Sequence, residues 1–136
     1  MNSPADELAL LGNAKQQIVI LGKKFVLKTL DSDAEASAQS AASLFDAETR
    51  KRIIKLEKLA RAIESIDGVP FSVSQEEVAQ GRTPVSKARE SIYKWHAPVV
   101  DRVFAEYEKM EKQREAVVAE LEKNGPSPLT SSGAGK

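Results

Sequence analysis

The chain carries the stretch QQIVILGKKFVLKTL at residues 16–30, in which two short apolar runs flank a turn containing Gly22. Short runs rich in β-branched and apolar residues on either side of a glycine are typical of a β-hairpin. The second run alternates, which places Phe25, Leu27 and Thr29 on one face of the predicted strand. Because an isolated two-stranded hairpin is only marginally stable in water, we expect it to pack on helices or to pair its edge with another chain.

The next part of the chain has the apolar spacing of two helices. Residues 32–45 predict a helix rich in Ala and Ser, which begins with a capping box at Ser32. A second helix is predicted to begin at Asp46 and to run to about Ile66, because its apolar residues recur every three or four positions. Gly68 is placed to end this helix in a left-handed conformation.

Three further helices are predicted after this point. They lie at residues 74–81, 83–95 and 98–123, and the last is the longest. The sequence therefore predicts a mainly α fold, in which an N-terminal β-hairpin packs on a small bundle of about four helices with a long C-terminal helix.

The composition of the two ends sets the predicted domain boundaries. Residues 1–15 are interpreted as a flexible leader, and residues 16–123 as a single hairpin-plus-helices domain. Residues 124–136 are rich in Ser, Gly and Pro and predict a disordered tail.

The charge balance bears on the class of partner. Lys and Arg together number 20, as do Asp and Glu, so the formal net charge is zero. A dedicated nucleic-acid-binding protein normally has a basic excess, so nucleic acid is not expected as a partner. Residues 50–61, which contain six basic side chains, keep a helical nucleic-acid-binding regulator open as an alternative.

The sequence offers no arrangement of side chains that is typical of an enzyme. It contains no cysteine and one histidine, His96, which lacks an obvious partner for acid–base catalysis or metal binding. Neither a phosphate-binding glycine loop nor a hydrolase motif is present. We therefore predict a non-catalytic protein with no catalytic residues, no metal and no cofactor. No apolar run approaches the ~20 residues that a membrane helix requires, so no membrane partner is expected.

The longest predicted helix, at residues 98–123, carries an apolar seam that Arg114 interrupts. Such a seam is either core, packed on the preceding long helix, or an interface that binds another protein. We expect its first half to be core and its second half to project towards a partner. The predicted protein-binding residues are Tyr107, Met110, Val117, Val118 and Leu121.

Two segments resemble a known family. The hairpin segment KFVLKTL at residues 24–30 is followed by a capped helix, and LARAIESIDG stands at residues 59–68. This order resembles the tail or baseplate assembly chaperones of tailed bacteriophages, over about residues 16–72. The resemblance implies a helper in the host cytoplasm that holds a hydrophobic tail protein until it polymerises, and it implies no catalytic residue.

The leading hypothesis is therefore a phage tail or baseplate assembly chaperone, whose client is a tail structural or tape-measure protein bound through apolar helix faces. The alternative is a structural component of the virion, such as a baseplate or tail adaptor. A chaperone is absent from purified particles, whereas an adaptor remains in them. A homo-oligomer is left open as a further kind of assembly.

Overall fold

The computed structural model describes residues 3–11 and 13–124, except for the side chains of Ala9 and Asn124. The predicted disordered tail, residues 124–136, lies outside the described residues except at Asn124, whose backbone ends the last helix. The elements are α1 (Pro4–Leu10), β1 (Lys15–Ile20), β2 (Lys23–Lys28), α2 (Ser32–Ala42), α3 (Ala47–Ala62), β3 (Ile63–Ile66), β4 (Val69–Pro70), α4 (Gln75–Ala79), α5 (Pro84–Ile92) and α6 (Ala97–Asn124).

The predicted fold class is confirmed, since the chain is mainly helical with an N-terminal hairpin and a long C-terminal helix. Strands β1 and β2 pair antiparallel from Lys15 opposite Lys28 to Ile20 opposite Lys23. The turn between them consists of Leu21 and Gly22, whose φ angles of 53° and 79° are both positive. Two successive positive φ angles are typical of the tight turns that match the twist of a hairpin.

The sheet is larger than the sequence predicts. The helix expected to run to about Ile66 ends at Ala62, and the prediction for residues 63–66 is wrong, because they form strand β3. The apolar spacing of Ile63 and Ile66 suits a helix, but the unpaired edge of β2 offers these residues backbone hydrogen bonds and a place in the core. Strand β3 pairs antiparallel with β2 and then with β4, which gives the order β1-β2-β3-β4.

Gly68 also has a different role from the predicted one. With Asp67 it forms the turn between β3 and β4, and the two residues have φ angles of 80° and 52°. Asp67 is fixed to β2, because its amide donates to the Lys24 carbonyl and its carboxylate accepts from the Lys24 amide, each at 2.7 Å. The glycine therefore closes a second hairpin and does not end a helix.

The ends of the helices follow local side-chain chemistry. Asp46, Ser74 and Thr83 cap α3, α4 and α5, as the sequence predicts. The predicted cap of α2 is wrong by one residue, because the Asp31 carboxylate accepts from the Ala34 amide at 2.8 Å and Ser32 lies in the first turn. A carboxylate at this position also favours the positive end of the helix dipole.

The core lies between one face of the sheet and helices α3, α5 and α6. Phe25 and Leu27 face it from β2, and Ile92 and Val103 face it from α5 and α6. The ring of Trp95, at the junction between α5 and α6, meets the Phe25 ring edge to face at 6.4 Å. Within the described parts of the chain, no helix combines the length and the apolar character needed to cross a membrane.

Candidate protein-binding surface

Helix α6 consists of a buried half and a projecting half. Up to Met110 its inner face belongs to the core, and both Tyr107 and Met110 are only 2% exposed. None of the described α6 side chains after Met110 is buried. Val117 and Leu121 are 50% and 46% exposed, and Val118 is half-buried. Of the five predicted protein-binding residues, the structure therefore brings three to the surface and places the other two inside.

The projecting half carries one continuous face. Residues spaced three or four positions apart lie along one side of a helix, and here they are Arg114, Val117, Val118 and Leu121. We call Val117, Val118 and Leu121 the α6 stripe. At a rise of about 1.5 Å per residue, the 14 residues after Met110, up to Asn124, extend the helix by about 21 Å.

A hydrogen-bonded cluster stands where the core ends and the stripe begins. The Glu111 carboxylate accepts from the Tyr107 hydroxyl at 2.5 Å, from the Arg114 Nε at 2.7 Å and from the Leu30 amide at 3.3 Å. Burial raises the pKa of Glu111, but the bonds from Tyr107 and Arg114 outweigh it and leave that pKa below its usual value. The cluster explains why arginine interrupts the apolar seam at position 114.

A groove adjoins this cluster. It has a volume of about 690 Å³ and lies at the open end of the β1–β2 hairpin, beside the starts of α2 and α5. Its apolar lining includes Leu11, Leu30 and Val85, and Arg114 connects it to the α6 stripe. Four basic and two acidic side chains also line it.

The leader contributes further exposed apolar surface. Residues 4–10 form helix α1, which Ser3 caps through a capping box. Leu8 and Leu10 are 69% and 56% exposed, and Leu11 reaches the groove. Nothing in these contacts tests the predicted flexibility of residues 1–15, which stays a prediction.

The basic stretch at residues 50–61 is partly engaged inside the protein. Arg50 donates to the Phe45 carbonyl at 2.9 Å, and Lys55 pairs with Asp101 at 3.1 Å. Arg61 pairs with Glu57, so three of the six basic side chains have partners within the chain. The ion pairs of Lys55 and Arg61 reduce the positive charge that the stretch presents to a phosphate backbone, whereas the bond from Arg50 to a carbonyl leaves its charge in place.

Sequence reasoning missed a buried and heavily hydrogen-bonded side chain. Glu57 on α3 is 1% exposed. Its carboxylate accepts from Arg89 at 2.7 and 2.8 Å, from Arg61 at 2.8 Å and from the Tyr93 hydroxyl at 2.6 Å. One signal was available, because Glu57 stands one turn after Ile53, on the apolar face of its helix.

The bonds to Glu57 strongly favour its charged form. Burial raises the pKa of this carboxyl, but the hydrogen bonds from Arg89, Tyr93 and Arg61 outweigh it and lower that pKa to about 2. Burial and the neighbouring carboxylate raise the pKa of Tyr93 to about 12. Both oxygens of the carboxylate are occupied by donors from the protein, so Glu57 ties α5 to α3 and is not placed as a catalytic base.

His96 lies exposed at the junction between α5 and α6. Across residues 3–11 and 13–124, no group of three or more His, Asp or Glu side chains is arranged to hold a metal ion. Comparison of the chain with protein-family models, curated proteins and solved structures found no match. Val117 and Leu121 of the α6 stripe are among the exposed large apolar side chains of the described residues, and their binding to another protein stays a prediction.

Proposed function

We propose that this protein is a non-catalytic assembly chaperone for a tail or baseplate protein of a tailed bacteriophage, acting in the host cytoplasm. The observation that carries the proposal is the α6 stripe, an apolar face on a helix that continues past the core. The resemblance of residues 59–68 to the chaperone family supports the same function. An amphipathic helix of the client lies along the stripe, with its own apolar residues against Val117 and Leu121.

The size of the stripe fits a client that must later be released. Fully burying a Val or Leu side chain is worth about 1.5–3 kcal/mol, so burying the exposed half of Val117 and of Leu121 contributes about 1 kcal/mol each. The cost of association is larger than this, about 4–15 kcal/mol, so the apolar residues of the client and further contacts must supply the rest of the binding free energy. The stripe therefore contributes modestly to the affinity, which suits a client that polymerisation of the tail protein must displace.

The test is co-expression with the tape-measure or tail protein encoded in the same phage genome. The variant carries Val117→Asp and Leu121→Asp, and the matched control carries Ala116→Asp and Ala119→Asp. The two control alanines are also exposed, and they lie on the opposite side of α6. Both variants add two negative charges to the same helix, but only the first removes the large apolar side chains of the stripe.

We expect the stripe variant to lose capture of the client and to leave it insoluble, while the control behaves as wild type. Thermal unfolding of both variants checks that they are folded, since neither change touches a buried residue. Equal capture by both variants would remove the stripe from the proposal. Mass spectrometry of purified virions tests the chaperone role itself, because a protein retained in mature particles is a structural component.

A further inference from the structure

The two edges of the four-stranded sheet differ in how they are protected. Strand β4 forms one edge and has only two residues, the second of which is Pro70. Proline lacks an amide hydrogen, and short strands offer little to pair with. Strand β1 forms the other edge, has six residues and keeps an unbroken register with β2. No described element pairs with the outer side of β1.

The register shows which backbone groups β1 presents outward. In a hairpin closed by a two-residue turn, the pair next to the turn exchanges hydrogen bonds, and alternate pairs do so from there. Ile20 opposite Lys23 is that pair, so Lys15, Gln17 and Val19 direct their N–H and C=O groups away from β2. The Thr29 amide also donates to the Ala14 carbonyl at 3.0 Å, so the pair just beyond the two strands follows the same alternation.

The side chains of β1 do little to block this edge. Val19 is 63% exposed, and Gln17 is exposed as well. The strand contains no proline and no bulge, and Lys15 is its only charged residue. Lys15 is held by an ion pair with Glu64 at 2.7 Å, on the exposed face of the sheet. The usual devices that keep an edge strand from pairing are therefore almost absent.

We propose that β1 pairs antiparallel with β1 of a second copy of this chain, across a two-fold axis at Gln17. The two sheets then become one continuous sheet of eight strands. This interaction goes beyond the proposed chaperone function and uses a different surface from the α6 stripe. A symmetric interface of this kind closes on itself, so it makes a dimer and no filament.

The self-complementarity of the strand identifies a second copy as the occupant. Only the register centred on Gln17 lets all three outward residues pair, which gives six backbone hydrogen bonds. In that register Lys15 lies opposite Val19 of the second copy, so no like charges face each other. A register shifted by four residues instead sets Lys15 against Lys15, which is repulsive.

The core-facing side of the strand fits the same register. Ile20 lies opposite Ala14 of the second copy, which pairs a large side chain with a small one. Ile18 is half-buried at the sheet edge, and the register brings it diagonally next to Ile18 of the second copy. Ile18 therefore gains cover in the dimer, whereas Ile20 is already buried within one chain at 1% exposure.

The first test is Gln17→Pro in the full-length protein, with Gln17→Ala as the matched control. Proline removes the central outward N–H, which bonds nothing within one chain, and it is tolerated on an edge strand. Alanine removes the same side chain but keeps the N–H. Sedimentation velocity over a roughly hundredfold range of concentration measures the dimer, whose population rises with concentration.

We expect wild type and Gln17→Ala to dimerise with increasing concentration and Gln17→Pro to remain monomeric. Dimers that persist in a folded Gln17→Pro variant would overturn the proposal, as would a wild type that is monomeric throughout. A third outcome is also possible: wild type is monomeric alone, and Gln17→Pro loses capture of the tail protein while Gln17→Ala keeps it. The edge of β1 would then bind the client, and the proposed dimer would be overturned.

A cysteine pair of variants tests the register independently and does not depend on the proline variant folding. The natural chain has no cysteine, so each variant carries a single thiol. In the proposed dimer the two Gln17→Cys residues lie opposite each other, and their Cα atoms are about 5.5 Å apart, which is within disulfide range. Gln16→Cys lies about 7–8 Å from its own copy and is too far to bridge. We expect oxidation to cross-link the first variant only, and equal cross-linking of both would refute the register.

The variant that carries Val117→Asp and Leu121→Asp should dimerise normally. The proposed dimer and the proposed chaperone function can therefore fail separately.

Discussion

Replacing Glu57 with glutamine tests whether its buried charge ties α5 to α3. The substitution keeps the shape of the side chain and removes the charge that Arg89, Arg61 and Tyr93 surround. Breaking a buried ion pair from one side typically costs about 3–5 kcal/mol. We expect a loss of about 3 kcal/mol at pH 7, at the lower end, because the Arg89 side chain is 37% exposed and is rehydrated.

The pKa of Glu57 gives the same magnitude and a pH dependence. The pKa is about 2 in the folded protein, against a usual value of 4.5. Since one pKa unit is worth about 1.4 kcal/mol, the difference corresponds to about 3 kcal/mol. The folded pKa lies below the unfolded one, so this stabilisation is present in full above about pH 4.5 and is lost as the pH falls through about 2. At pH 3 about 2 kcal/mol of it has gone.

The assay is urea denaturation of wild type and Glu57→Gln at pH 7, 4 and 3, followed by circular dichroism. Other carboxylates with lowered pKa values, such as Glu111 and Glu77, also destabilise the protein in acid. Only the difference between the two proteins therefore isolates Glu57. We expect this difference in the free energy of unfolding to shrink by about 2 kcal/mol between pH 7 and pH 3. A difference that stays constant over this range would refute the role of the buried charge.

If the glutamine variant is too unstable to measure, Tyr93→Phe is the second variant. It removes one hydrogen bond to the charged Glu57 carboxylate, at an expected cost of about 1.5 kcal/mol.

Two further substitutions test local features. Leu21→Asn should stabilise the protein by about 0.5–1 kcal/mol, because asparagine tolerates a positive φ better than leucine does. Leu21 has a φ of 53° and its side chain is 62% exposed, so little packing is lost. A melting temperature below that of wild type would contradict this prediction. Tyr107→Phe should cost about 1.5–3 kcal/mol in urea denaturation at pH 7, because it removes the hydroxyl that donates to Glu111 and keeps the ring in the core. A loss below about 0.5 kcal/mol would show that the bond to Glu111 contributes little to stability.

The hairpin and the helix caps were accessible from the sequence because their signals are local. The two apolar runs at residues 16–30 surround a glycine, and the alternation that places Phe25 and Leu27 in the core is visible in those letters alone. Ser74 and Thr83 cap their helices through bonds that span three residues. Such bonds depend on near neighbours, so sequence order is enough to find them.

The end of α3 was not accessible in the same way. Ile63 and Ile66 satisfy the spacing of a helix, and a strand of four residues has no clear alternation of its own. What decides between the two is the edge of β2, which lies more than 30 residues earlier in the chain. A nonlocal partner of this kind overrides a local preference without leaving a mark in the segment itself.

The α6 stripe also depends partly on local sequence and partly on distant contacts. The sequence predicts the apolar seam and its interruption at Arg114, but periodicity alone does not say where burial stops. The structure places that point after Met110, where Glu111 gathers Tyr107, Arg114 and the Leu30 amide. Two of the five predicted binding residues are therefore core, and whether the other three bind a client is still a prediction.

The sequence by itself determined the class of the protein: a mainly helical chain with a hairpin, no net charge and one histidine. These properties depend on composition and on spacing along the chain. Only the tertiary structure decided that β3 joins the sheet, that Glu57 is buried among its donors, and that β1 keeps an open edge. Each of these depends on residues that are distant in sequence, and packing free energy, which no short segment contains, brings them together.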